Sequence, residues 1–165
     1  MPTAIISKPR LNSVQLTAFL MYMNPELDQQ RVMKISSIYI EESEAESINS
    51  DIAFAQMCLE TGFLSFKGLV KEDMNNFCGL GAIDINNTGI TFENEILGIR
   101  AHIQHLKAYA SKIPLKNECV DPRYKYVNPK GKATKIKHLA GRWALDPEYS
   151  NKIQNILNRM YLFSR

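Results

Sequence analysis

Apolar residues along the chain recur mostly at the 3.6-residue helical period and seldom in the two-residue alternation of a half-buried strand. Residues 16–23 are a mostly apolar run broken by Thr17 and read as a first helix. Asn24 ahead of Pro25, with Glu26 and Asp28 next, predicts the start of a second, because Asn accepts a free amide and Pro has none to lose. Val32, Ile35, Ile38 and Tyr39 continue it at helical spacing to an acidic run at 41–46, so this helix is amphipathic. Asn49 or Ser50 caps a third, over 51–60. Seven of its eight residues from 52 to 59 are apolar, so it has no wet side and should run through the middle of the protein. Gly62 falls where a left-handed cap is expected, placing Glu60 at that helix's C-terminal end.

Three glycines and Asn86-Asn87 over residues 79–89 predict turns or a small hairpin. Thr91 should cap a fourth helix, with Phe92, Ile96, Ile99, Ile103, Leu106 and Ala110 on one face and Pro114 ending it. A short helix follows near 133–140. Asp146, ahead of Pro147, caps a last one running through Ile153, Ile156 and Leu157. The first ten residues carry two prolines and no periodicity and read as a flexible arm, residues 1–10, before a single domain, 11–165. About six helices with at most a small β-hairpin make an α+β fold, mainly α; doubly wound sheets and sandwiches are excluded.

With 165 residues, 45% apolar and 22% charged, the chain can bury roughly 70% of its unfolded surface, enough for a core without staples. The net charge of +3 does not by itself call for nucleic acid. Residues 123–142 hold seven basic residues and no acidic one, which fits a solvated loop or a polyanion patch; no nucleic-acid partner is expected. The longest apolar run is far short of the ~20 residues that span a bilayer. Lys8 and Arg10 ahead of it imitate a signal peptide, but no small-residue cleavage site follows. Cys58, Cys78 and Cys119 have neither CxxC spacing nor a His at metal-ligand spacing, and His102 and His105 lack an acid or cysteine to complete a set. No metal or other cofactor is expected; a Cys58–Cys78 bridge stays open.

The chemistry concentrates at Glu60. Apolar surroundings disfavour its charged form, and so does the partial negative charge at a helix C-terminus, so its pKa should rise. A carboxyl kept protonated near neutral pH can donate to a departing sugar oxygen, as the acid of glycoside hydrolysis does. Helix pattern alone is equally compatible with a surface Glu at a frayed end.

Leu59-Glu60-Thr61-Gly62 followed by Asn75-Asn76-Phe77-Cys78-Gly79-Leu80 resembles the glucosaminidase family of bacterial cell-wall hydrolases, whose E-[ST]-G signature is followed closely by N-N-x-x-G. Gly98-Ile99-Arg100-Ala101-His102-Ile103-Gln104-His105-Leu106 looks like its third block, and Trp143-Ala144-Leu145-Asp146-Pro147-Glu148-Tyr149 like its Y-A-T-D-P-x-Y block. The resemblance spans roughly residues 50 to 160. It implies a lysozyme-like fold and an endo-β-N-acetylglucosaminidase that cleaves β-1,4 bonds of peptidoglycan, with Glu60 as general acid and Asn76 and Phe77 lining the cleft. Trp143 stands where the family usually has Tyr, and Leu145 where it has Thr; Trp keeps an apolar face for stacking and loses the hydroxyl.

The second catalytic group is open between Glu95 and Asp84, and in a retaining mechanism the substrate's own acetamido group can take its place. Trp143 and Tyr149 are substrate-binding candidates, Tyr149 equally an anchor for the last helix. Alternatives are a muramidase or lytic transglycosylase on the same polymer, or a non-catalytic glycan-binding module. The expected partner is peptidoglycan or a related N-acetylglucosamine-containing glycan, bound by a monomer with no membrane span. Such a substrate implies a periplasmic, extracellular or cell-wall location, although this chain shows no export signal; phage-delivered lysis would also reconcile the two.

Overall fold

A computed structural model describes residues 3–165. Five α-helices carry the fold: α1 (Ser13–Met23), α2 (Gln29–Ala45), α3 (Ser50–Thr61), α4 (Glu95–Ala110) and α5 (Tyr149–Phe163). Between α3 and α4 lies an antiparallel hairpin of β1 (Ala82–Asp84) and β2 (Asn87–Thr88), with Ala82 opposite Thr88 and Asp84 opposite Asn87. The class is α+β, mainly α, as the periodicity predicts.

The expected sixth helix is absent: residues 133–140 contain only a 3₁₀ turn, Ile136–His138. Their backbone groups have tertiary partners instead. Ala133 N–H donates to Tyr109 O, Thr134 O accepts from Ile5 N–H, and Ile136 N–H donates to Thr3 O. The same bonds tie Thr3 and Ile5 of the expected arm to the rest of the fold, and Arg10 is tied there too. Ile5 is fully buried, its carbonyl accepts from Asn49 N–H at 2.8 Å, and Arg10 N–H donates to Asp51 at 2.7 Å. Residues 1 and 2 of that arm lie outside the described residues.

Side-chain caps fix the starts of α1 to α4, at other residues than expected in two cases, while α5 has none. Asp28, not Asn24, caps α2, accepting from Arg31 N–H at 3.0 Å. Asn24 ends α1 instead, with its backbone N–H on Leu20 O and its side chain on Phe63 O. Asn94, not Thr91, caps α4. Asp146 accepts from Glu148 N–H in the turn before α5, and the helix begins at Tyr149. Asn49 caps α3 as expected.

Helix α3 packs against all four other helices. Ile52, Ala53, Phe54, Ala55, Met57 and Cys58 on it have no exposed surface. Burial of each large apolar side chain contributes about 1.5–3 kcal/mol, so this helix is the centre of the core. The acidic end of α2 is held inward by α4: Glu42 takes a two-pronged bond from Arg100, and Glu46 accepts from Lys107 at 2.8 Å and from the amides of Lys116 and Asn117. Among the described residues no helix is long and apolar enough to cross a membrane. Cys58 and Cys78 are buried free thiols.

Candidate active site

Because Gly62 closes α3 in a left-handed conformation, the last helical turn delivers Glu60 beside the N-terminus of α5. There the Tyr149 hydroxyl donates to Glu60 Oε1 at 2.5 Å. The other oxygen, Oε2, lies against the backbone of Gly79: a Cβ built on that glycine would stand 3.0 Å from it. Gly79 also needs φ +69°, so both the space and the backbone exclude a side chain there.

The loop that brings Gly79 up is built by Asn76. Its amide donates to Leu80 O and Ile90 O, each at 2.9 Å, and its carbonyl oxygen accepts from Leu80 N–H at 3.0 Å. Helix α4 seals the back of this loop at Gly98, where a Cβ would fall 1.7 Å from Asn75 O. The cleft-lining role expected of Asn76 and Phe77 is therefore corrected. Asn76 is 1% exposed with its amide spent on the loop, and Phe77 is fully buried in the core against Phe66.

Burial pushes the Glu60 carboxyl above its ordinary value, and the Tyr149 bond, which favours the carboxylate, opposes this in part. Glu60 has no ion-pair partner among the described residues. Behind Tyr149 runs a buried polar chain: Gln56 Nε2 donates to Tyr149 Oη at 2.9 Å, His102 Nε2 meets Gln56 Oε1 at 2.8 Å, and Tyr39 Oη meets His102 Nδ1 at 2.7 Å. With the Gln56 carbonyl as acceptor, His102 carries its proton on Nε2 and takes the Tyr39 hydroxyl on Nδ1. Every donor in the chain then points toward Glu60. Burial pushes the His102 pKa down to about 3, keeping the ring neutral as this pattern requires.

Gly79 also lines a groove of about 240 Å³, whose far wall carries His105, Tyr109 and Trp143. The Trp143 ring packs edge-on to His105 and His102 and tilts against Tyr109 at 5.5 Å. It is half-buried and lines the groove. A neighbouring depression shares Tyr109, Tyr126 and Val127 and adds Lys132 and Arg142, so the trough continues toward the basic stretch.

The two carboxylates expected as a second catalytic group are engaged elsewhere. Glu95 pairs with Arg31 at 3.4 Å and Lys34 at 3.5 Å. Asp84 is exposed and accepts from the Asn86 and Asn87 amides, closing the hairpin turn; those bonds hold its carboxyl below the ordinary value. Tyr149, 5% exposed, contacts Glu60 rather than the groove. Sequence reasoning missed Gln56, Tyr39 and the place of His102. The signal for Gln56 was its being the one polar residue in an otherwise apolar helix stretch.

Residues 36–162 match the family described as mannosyl-glycoprotein endo-beta-N-acetylglucosaminidase, in short glucosaminidase. The chain belongs to the glucosaminidase family. A protein of Borreliella burgdorferi described as uncharacterized is 44% identical over 153 residues, covering 93% of this chain and 74% of that relative. As a glucosaminidase-family domain the chain is of the glycosidase kind, and a glycan is its class of substrate. Glu60, Gly79, Tyr149 and Trp143 all lie within the matched residues.

Proposed function

We propose that the protein is an endo-β-N-acetylglucosaminidase that hydrolyses β-1,4 bonds of peptidoglycan glycan strands, with Glu60 as general acid. The observation that carries this reading is the one carboxyl at the end of the buried helix α3. It is desolvated enough to hold a proton and free of any cationic partner among the described residues, and it lies against the glycine that lines the groove. Glu60 gives its proton to the departing glycosidic oxygen as water adds to the anomeric carbon. Tyr149 keeps the carboxyl oriented, and Trp143 with Tyr109 offers aromatic faces to sugar rings. The expected place of action is the cell wall, outside the cytoplasm.

The test is Glu60→Gln, which preserves shape and the acceptor for Tyr149. Wild type should release reducing ends from purified peptidoglycan and the variant should not, with a loss of about 10²–10⁴-fold. Mass spectra of the fragments should show N-acetylglucosamine at the new reducing ends. N-acetylmuramic acid there would move the activity to a muramidase, and an anhydro end to a lytic transglycosylase. Binding of glycan by wild type with no new reducing ends would make the domain a non-catalytic module.

A further inference from the structure

One hydrogen-bonded pair at the groove, His105 and Asp121, has no part in the chemistry derived so far. His105 Nδ1 lies 2.8 Å from Asp121 Oδ2, and that carboxylate is fully buried. Asp121 is itself held in place, its other oxygen accepting from Arg123 N–H at 2.9 Å and its own N–H reaching Gln104 Oε1. An aspartate in this position accepts a hydrogen bond from Nδ1–H, which leaves a lone pair on Nε2. Nε2 has no hydrogen bond among the described residues, and the His105 ring lines the groove, braced edge-on by Trp143 at 4.9 Å and Tyr109 at 5.4 Å.

The pair and Glu60 share one neighbourhood. Gly79 joins them: it lines the groove together with His105, and a Cβ built on it would stand 3.0 Å from Glu60 Oε2. The carboxylates that would ordinarily activate water are committed to an ion pair and to a hairpin turn.

Resting on the reading of this groove as a glycan site, we propose that His105, oriented by Asp121, is the base that activates the attacking water. The water proton passes to Nε2 as the water oxygen bonds to the anomeric carbon. The bond from that carbon to the glycosidic oxygen breaks, and that oxygen takes the Glu60 proton. Solvent then returns a proton to Glu60 and removes one from the imidazolium, so one water is consumed and both groups are reset. Displacement in one step inverts the anomeric centre.

The experiment compares wild type, Glu60→Gln, His105→Ala and Asp121→Asn on purified peptidoglycan, with folding checked by near-ultraviolet circular dichroism. His105→Ala should lose at least 100-fold, and azide should restore turnover by entering the vacated space and yielding a glycosyl azide. Asp121→Asn keeps the shape but presents an amide N–H to Nδ1, which moves the ring proton to Nε2, and it should lose activity comparably. Proton NMR at early times should show the α anomer at new reducing ends of wild-type product. A loss under tenfold in either folded variant overturns the proposal. So does a loss in His105→Ala with no glycosyl azide formed, or a β anomer from wild type. Should Glu60→Gln match wild type, or wild type release nothing, the glycosidase reading falls first and this proposal with it.

Discussion

The hydroxyl of Tyr149 donates to Glu60 Oε1 at 2.5 Å, joining the first residue of α5 to the last turn of α3 across 89 residues of chain. The same hydroxyl accepts from Gln56, so Tyr149→Phe breaks two bonds at once. The Gln56 donor loses its acceptor, which costs about 1–3 kcal/mol of stability for a buried polar group. Loss of the hydroxyl also removes the one contact that favours the Glu60 carboxylate, so the carboxyl rises further. The alkaline limb of a pH–rate profile on peptidoglycan should move to higher pH, alongside a lower denaturation midpoint.

Glu60 itself should destabilise the fold at neutral pH. A carboxyl raised in the folded state is protonated in both states well below its ordinary value, and there it contributes nothing. As pH climbs through the interval up to the folded value, the unfolded chain ionises more readily and stability is lost. Glu60→Gln abolishes this term. Its melting temperature should match wild type near pH 4 and exceed it by a few degrees at pH 7 and above, read from paired thermal scans.

At Gly98 an alanine methyl would sit 1.7 Å from Asn75 O, inside backbone rather than against a side chain that could swing away. Gly98→Ala must push the 75–79 loop off α4, at about 3 kcal/mol or more. The displaced loop carries Gly79, so activity should fall further than stability alone explains when both are measured well below the melting temperature.

How much of this could be read from the chain varies with the physics involved. The centre of the fold was legible because α3 is apolar on every side and its cap residues, Asn49 and Gly62, are local signals. The same pattern placed Glu60 at the helix end, where it was equally compatible with a surface Glu; its role as an acid came from the resemblance. Asn24 and Thr91 misled because both have the chemistry of a cap, while tertiary demands decide which candidate is used: Asn24 goes to Phe63 O, and Asn94 takes the role given to Thr91. Phe77 read as a cleft residue because the resemblance implies it for that motif, yet three consecutive residues of the loop, Asn76, Phe77 and Cys78, are all buried, and Phe77 joins the core. The chain from Tyr39 to Glu60 draws on four separate elements. No spacing rule within one element could have shown it.

Lys107→Met tests the buried pair on the far side of α4. Burial pushes the Glu46 carboxyl up, but the Lys107 bond and two backbone amides outweigh it and leave the group below its ordinary value. Its stabilisation is therefore present above the ordinary carboxyl value and is lost as pH falls from there through the lower value the group has in the folded protein. Removing Lys107 leaves a carboxylate 1% exposed with only the amides, at a cost of about 3 kcal/mol. The variant should unfold at lower denaturant at pH 7, and the gap from wild type should narrow toward pH 4.

The stitching of Thr3 and Ile5 to Thr134 and Ile136 bears on how the chain is made. A contact between such distant partners closes a very long loop and can form only late. On the ribosome, the backbone of Thr3 and the Ile5 N–H must wait for these partners until residues 134 to 136 have emerged. A nascent chain stalled before residue 134 should accordingly be cut by protease near Ile5, whereas the released protein should resist there.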